Sequence, residues 1–426
     1  MNKPELLAPA GTFEKAKIAF MYGADAVYAG TSKLSLRTRT EMKFNDLLET
    51  VKLAHSLNKK VYAAMNVYAR DDEYEQIIEE AKNLDEMGVD GIIVADPGIV
   101  EILKEYAPNT EIHISTQSNV TSLHTCNFWY KNGASRIILA RELNKDEIKH
   151  ITENKPNGLE IEMFAHGAIC YSYSGRCYLS DYMAGRSANH GDCAQPCRWS
   201  YNLYAEEKNK PGELMPVETD EKGTYIFSSK DMCLIKDIPT LFQIGVDSLK
   251  IEGRLKTEYY LATIVNAYRH AIDDYTENPE TWNYEKYMCE IEKAKTRGLT
   301  DFYFNDKYNK DVQDYDGKQI NPNYEFGGMV VSTGIEGITT VEIRNKLSVG
   351  DTLEVMIPEK LEPFVFQIEK LYDAETGEEI PTVNPGVKEQ KVKLKIPVEV
   401  RTGFVIRKLK IWKNMKDCDK YEQGWT

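Results

Sequence analysis

The chain has 426 residues and a net charge of −14, from 53 Lys and Arg against 67 Asp and Glu. With 42 % hydrophobic and 28 % charged residues it has ordinary globular composition, which excludes disorder and collagen-like folds. Apolar runs stay strand-sized and the first residues lack a basic-then-apolar leader, so the expectation is a cytoplasmic protein with no membrane partner, in which cysteines serve as ligands, catalysts or core residues rather than disulfides.

A phrase recurs along the first part of the chain. It reads Tyr-Gly-Ala-Asp-Ala-Val-Tyr-Ala-Gly at 22–30, then Met-Gly-Val-Asp-Gly-Ile-Ile-Val-Ala-Asp at 87–96. It returns as Asn-Gly-Ala-Ser-Arg-Ile-Ile-Leu-Ala-Arg at 132–141 and Ile-Gly-Val-Asp-Ser-Leu-Lys-Ile-Glu-Gly at 244–253. Each copy ends a helix-period segment on a glycine (Gly23, Gly88, Gly133, Gly245), the residue that takes a left-handed stop without strain. A short apolar run follows, suited to a parallel strand buried on both faces. Further strand-like runs fall at Glu5–Pro9, Lys60–Val67, Glu111–Thr116 and Glu160–His166. Helix-like segments alternate with them, and Thr12, Asn45, Asp71, Ser118 and Asn144 stand as expected N-caps.

Seven strand–helix units reach about residue 166. An irregular insertion at about 167–230 follows, then a helix from about Met232, an eighth strand at Ser248–Gly253 and a helix from about Thr257. This order predicts an α/β fold, a (β/α)8 TIM-like barrel over 1–300 with the insertion between strands seven and eight. An open doubly wound sheet is the second reading. Barrel chemistry gathers at the C-terminal strand ends. Those ends carry Tyr28, Asn66, Asp96, Ser115-Thr116-Gln117, Arg141, His166, Lys250, Glu252 and Arg254.

Residues 301–326 read as a linker or strap. From 327 to 416 short strands separated by turns predict a small antiparallel β-barrel domain. Within 386–416, ten Lys or Arg face only Glu389 and Glu399, a local charge of +8. Lys391, Lys393 and Lys395 alternate with Val392, Leu394 and Ile396, so one strand face is basic and the other apolar. That face is a candidate RNA-binding surface; the plainer reading is a solvated edge.

Four of the eight cysteines lie in the insertion, Cys170, Cys177, Cys193 and Cys197, spaced C-x6-C-x15-C-x3-C. Four thiolates from one irregular loop serve a structural zinc or an iron–sulfur cluster. Only the last pair has zinc-like spacing. Cys233 stands near the start of the helix before strand eight, close enough in sequence to join them.

These residues carry a family resemblance. Glu162-Met-Phe-Ala-His-Gly-Ala-Ile-Cys170, Tyr-Ser-Tyr-Ser-Gly-Arg-Cys177 and Tyr-Leu-Ser180 resemble the signature of peptidase family U32. So do Glu5-Leu-Leu-Ala-Pro-Ala-Gly11, Ser35-Leu-Arg37, His113-Ile-Ser-Thr-Gln117, Ser228-Ser-Lys-Asp231 and Ser248-Leu-Lys-Ile-Glu-Gly-Arg254. The resemblance implies an RNA-modifying enzyme. Its better-understood branches hydroxylate a wobble uridine of tRNA, act on a ribosomal RNA cytidine, or work as a pair in ubiquinone hydroxylation. It implies an iron–sulfur cluster of the 4Fe-4S type on Cys170, Cys177, Cys193 and Cys197, with Cys233 an alternative to Cys197. For the RNA-directed branches it implies prephenate as co-substrate. The spacing followed by Arg198-Trp199 is most similar to the tRNA branch, so tRNA and a paralogous partner subunit are the expected partners.

Read on their own chemistry, Arg37, Arg141, Lys250 and Arg254 are candidate partners for a small multi-anionic acid, with Glu252 among them. The rival reading is that these charges only balance Glu142 and Glu252. His113 and His166 end strands five and seven and are candidate proton-transfer residues. A collagenase-like peptidase and a non-catalytic RNA-binding protein with a structural cluster remain competing functions. Neither H-E-x-x-H nor G-x-S-x-G occurs.

Overall fold

The computed structural model describes residues 3–31, 42–199, 201, 204–206, 208–209, 211–212, 214–216, 229–306, 312, 323–334, 337–386 and 390–410. Arg37 lies outside them. The chain divides into two compact units, each discontinuous in sequence.

The first unit comprises Met1–Ala16, Ala24–Leu255 and Thr296–Ile320. Strands β1 (Glu5–Pro9), β2 (Ala26–Gly30), β3 (Lys60–Met65), β4 (Gly91–Val94), β5 (Glu111–Ile114), β6 (Arg136–Ile138) and β7 (Glu160–Ala168) pair in parallel, each with the next. The eighth strand, Ser248–Ile251, pairs in parallel with both β7 and β1. The sheet is therefore a closed eight-stranded barrel, not an open one. Gly23, Gly88, Gly133 and Gly245 all have positive φ, between 70° and 103°.

Local chemistry corrects several predicted boundaries. Asn144 caps its helix as expected, in a capping box with Glu147. The helix Phe44–Ser56 starts one residue before Asn45. Asp71 opens a 3-10 turn ahead of the helix Tyr74–Met87. Ser118 closes another 3-10 turn, because Asn119 turns left-handed at φ 53°; Ser122 caps the helix Leu123–Lys131 instead. The helix expected from Met232 begins at Ile238. Asp231–Cys233 is a short strand, antiparallel to the end of β7 and setting Cys233 opposite His166. β7 runs past the barrel to Ala168 and offers that strand an edge.

The second unit comprises Lys17–Gly23, Lys256–Lys295 and Asn321–Thr426. Helices Glu258–Glu277 and Glu285–Glu292 belong to it together with a seven-stranded antiparallel sheet. The sheet order is Phe364–Gln367, Thr352–Val355, Val405–Leu409, Tyr324–Thr333, Ile338–Ile343, Lys391–Lys395 and Tyr372–Asp373. Among the described residues its end strands do not pair, so the expected small barrel is a half-barrel. Bulges at Phe326/Gly328 and Val330/Ser332 interrupt its central ladders, and such bulges bend a strand.

The basic stretch is less basic than its count. Arg407 is fully buried and ion-paired with Glu290, at 2.6 Å, and with Glu354. Arg401 pairs with Glu359, Lys408 with Asp351 and Lys410 with Glu325. Long cations on strands reach acids of neighbouring segments, which no linear charge count registers. Lys391, Lys393 and Lys395 do alternate with buried Val392 and Leu394. Their strand is not a free edge, because Ile338–Ile343 and Tyr372–Asp373 flank it.

No helix among the described residues is long and apolar enough to cross a membrane.

Candidate active site at the barrel mouth

The floor of the site is an ionic layer inside the barrel. Strand alternation turns Glu162 and Lys250 inward. The Arg136 guanidinium, 2 % exposed, donates to Glu5 Oε1 at 2.7 Å, Glu160 Oε2 at 2.6 Å and Glu162 Oε2 at 3.1 Å. Lys250 Nζ donates to Glu162 Oε1 at 2.7 Å. Burial alone would lift the pKa of Glu162, but Lys250 and Arg136 outweigh it and hold the carboxyl below its ordinary value. Burial pulls Lys250 down from its ordinary value, with Glu162 opposing.

His113 is part of this floor. It is 0 % exposed, bonds Glu111 at 3.0 Å and packs edge-on to Tyr62 at 4.6 Å. A Cβ on Gly91 would stand 2.8 Å from its ring, so Gly91 makes the space that the imidazole fills. Burial holds its pKa below the ordinary histidine value.

Above the floor, Tyr28 Oη donates to Glu252 Oε2 at 2.9 Å, while Lys250 and Arg254 lie over the Tyr28 ring. The Arg141 guanidinium lies over the Phe164 ring, 4.0 Å from its centroid. It does not balance Glu142, whose carboxylate accepts from the Ser174 N–H at 2.6 Å and the Ser174 hydroxyl at 2.5 Å. Among the described residues Arg141 forms no ion pair.

Chain entry into the insertion depends on Gly167. Its φ is 112°, and a Cβ there would meet the Glu252 carbonyl oxygen at 2.3 Å, so only glycine lets β7 lie this close to the eighth strand. The insertion then returns over the barrel. Cys170, Cys177, Cys193 and Cys197 all line one cavity with Arg141, Lys250, Glu252 and Arg254. It encloses about 1460 Å³ of empty space, open mouth included. The Leu179 N–H donates to Cys177 Sγ at 3.3 Å and the Gln195 N–H to Cys193 Sγ at 3.4 Å. Asn189 brackets the Cys177 backbone, accepting from its N–H and donating to its carbonyl. Burial pushes the Cys197 thiol up to about 11; the other three cysteines add to the rise and Arg198 opposes it. Among the described residues no three His, Cys, Asp or Glu side chains stand close enough to share one metal ion.

The structure thus gathers the four cysteines and four of the five proposed rim charges, Arg37 lying outside the described residues. It leaves His113 in the barrel floor, and His166 and Cys233 buried on paired strands, none of them lining the cavity. Asp96 caps the helix Pro97–Tyr106, a structural use. Sequence reasoning passed over Arg176, whose Nε donates to the Gln117 carbonyl at 2.9 Å and the Tyr68 hydroxyl at 2.8 Å, tying the insertion to two barrel loops. Its position beside Cys177 was the available signal.

Comparison with known proteins follows the same outline. Residues 11–314 match the model of peptidase family U32, and residues 322–407 that of the peptidase family U32 C-terminal domain. The tRNA hydroxylation protein P1 of Bacillus subtilis (strain 168) is 36 % identical over 410 residues, covering 96 % of this chain and 95 % of its own. The tRNA hydroxylation protein P of Escherichia coli (strain K12) is 37 % identical, covering 91 % and 92 %. The 23S rRNA 5-hydroxycytidine C2501 synthase of Escherichia coli (strain K12) is 33 % identical, covering 85 % of this chain and 54 % of its own. With both family models matched and the cysteine loop on the barrel mouth, the chain belongs to peptidase family U32.

Proposed function

We propose that this chain is a tRNA-modifying enzyme that converts a wobble uridine to 5-hydroxyuridine at the barrel mouth, with prephenate as co-substrate and an iron–sulfur cluster of the 4Fe-4S type. One observation carries the reading: four thiols and the cationic rim line a single cavity. The names of the two tRNA relatives support hydroxylation of tRNA, and that of the third supports hydroxylation of a pyrimidine base.

Cys170, Cys177, Cys193 and Cys197 would hold the cluster. Their mutual repulsion as thiolates is the cost that a positive metal core relieves. Backbone N–H donors to Cys177 and Cys193 are the kind of interaction that tunes such a core. When bound, the cluster supplies one-electron redox chemistry.

The chain's own residues position the rest. Arg141 and Arg254 offer two guanidinium groups for the two carboxylates of prephenate. The Phe164 and Tyr28 rings lie next to those groups. Lys250, fixed by Glu162, keeps the floor of the cavity cationic. The peptidase reading fits less well. It needs a thiolate beside an imidazole, whereas His113 and His166 are both buried and neither lines the cavity.

Mass spectrometry of tRNA nucleosides from a deletion strain tests the proposal. The 5-hydroxyuridine signal should vanish and return on complementation. An unchanged signal in the deletion strain, in the absence of a paralogue, overturns it.

A further inference from the structure

The cysteine insertion has an unusual surface. Residues 167–201 contain five Tyr, one Trp, three Arg and two Asp, with no Lys and no Glu, inside a chain of 67 acids. Tyr171, Tyr173, Tyr178, Tyr182 and Trp199 are between 40 % and 86 % exposed. Tyr178 and Tyr182 are the most open of them, at 80 % and 86 %, and are four residues apart at the short helix Leu179–Ala184. That spacing sets them one turn apart on one face. Tyr171 lines the cavity itself, as do Arg186 and Arg198.

An aromatic ring left in water gives up the burial that would stabilise it, and several on one short segment next to a cavity mark a surface completed by a partner. The most exposed apolar side chains here are aromatic rather than aliphatic, and the three guanidinium groups of the insertion are engaged within the protein, Arg176 by Gln117 and Tyr68, Arg186 by Asp192 and Arg198 by Gln195. That chemistry matches unstacked bases, where each ring face replaces a missing stacking neighbour. A base that undergoes chemistry in a cavity must leave its stack, so its neighbours need such replacements.

We infer that the tyrosines of the cysteine insertion, Tyr178 and Tyr182 foremost, form the stacking platform on which a single-stranded RNA loop is spread over the cavity. The inference rests on the functional reading above and adds the surface that recognises the loop. It places base recognition on the insertion, separate from any phosphate pairing made by Lys391, Lys393 and Lys395.

Fluorescence anisotropy tests it, with an RNA hairpin carrying the tRNA anticodon loop and, as control, the same stem closed into a continuous duplex. Tyr178→Ala/Tyr182→Ala should weaken hairpin binding by about 5- to 100-fold, the range for losing stacked bases. Tyr178→Phe/Tyr182→Phe should keep it, since the ring face remains. Duplex binding should not change in either variant. Iron and sulfide content equal to the parent's shows that the loop is intact. Hairpin affinity unchanged in the alanine variant, with the parent binding well, overturns this inference alone and gives the surface to a protein partner. A parent that binds neither RNA overturns the functional reading with it.

Discussion

The barrel floor and the loop above it treat charge in opposite ways. On the floor, Arg136 and Lys250 are nearly excluded from water, and each meets carboxylates at 2.6–3.1 Å. At the rim, Arg141 lies over the Phe164 ring and forms no ion pair among the described residues, and four cysteines line the cavity. Even the backbone differs. The insertion holds Ser174 and Gln195 at φ 43° and 59°, a conformation that costs non-glycine residues energy, whereas none of the floor residues Glu5, His113, Arg136, Glu162 and Lys250 has a positive φ. Buried charges must be satisfied within the fold, because a lone one costs several kcal/mol. Groups at an open mouth are free to be satisfied by something else. The floor is therefore framework, and the rim is where chemistry is to be sought.

The largest effect expected from breaking this contrast is all-or-none. Cys170→Ser or Cys177→Ser should abolish bound iron and sulfide in anaerobically purified protein and bleach its absorbance, while circular dichroism stays that of a folded barrel. Stoichiometric zinc without iron in the parent would rule out the cluster. Next, Arg136→Ala removes the ion-pair partner of Glu5 and Glu160 and leaves Glu162 with Lys250 alone, and should cost about 3–5 kcal/mol of stability in denaturant melts. A loss below about 1 kcal/mol would mean that the ionic floor does not hold the barrel together.

Arg141→Ala should do the reverse, leaving stability nearly intact while weakening prephenate binding about ten- to a hundredfold by calorimetry. Arg254→Ala, at a more buried position, should lower both. If Arg141→Ala binds prephenate like the parent, the rim is not the acid's site. Charge reversal at Lys391, Lys393 and Lys395 should flatten the salt dependence of tRNA binding, lowering the log–log slope by up to about 0.9 for each phosphate no longer neutralised. An unchanged slope would show that this strand does not bind RNA.

The smallest effect concerns pH. Burial holds His113 below its ordinary pKa, so the folded barrel keeps it neutral while the unfolded chain takes up a proton near pH ~6.5. Its contribution is present above that pH and is lost as pH falls through it toward the folded value. His113→Gln should therefore flatten the fall in melting temperature between about pH 6.5 and 5. The same slope in variant and parent would show that His113 is not its source.

Much of this was legible in the linear text because it is local. Gly88 and Gly245 stop helices by their φ, Asn144 and Glu147 cap one, and apolar runs such as Gly91–Val94 can only be doubly buried strands. A repeating local rule implies a repeating fold, so the eight-fold alternation already contained the barrel. The four cysteines announced themselves by spacing. What the sequence could not contain is which charges meet. Arg407 reads as one more cation in a basic run and is instead buried against Glu290, more than a hundred residues away. His113 reads as a strand-end histidine and fills the space left by Gly91. Glu142 sits next to Arg141 in the chain, yet Ser174 takes it. Ion pairing and burial act through space between segments that only tertiary folding brings together. Residue types and their spacing thus determined the barrel and its cysteine loop, while closure of the ring decided which charges were buried as framework and which came to line the cavity.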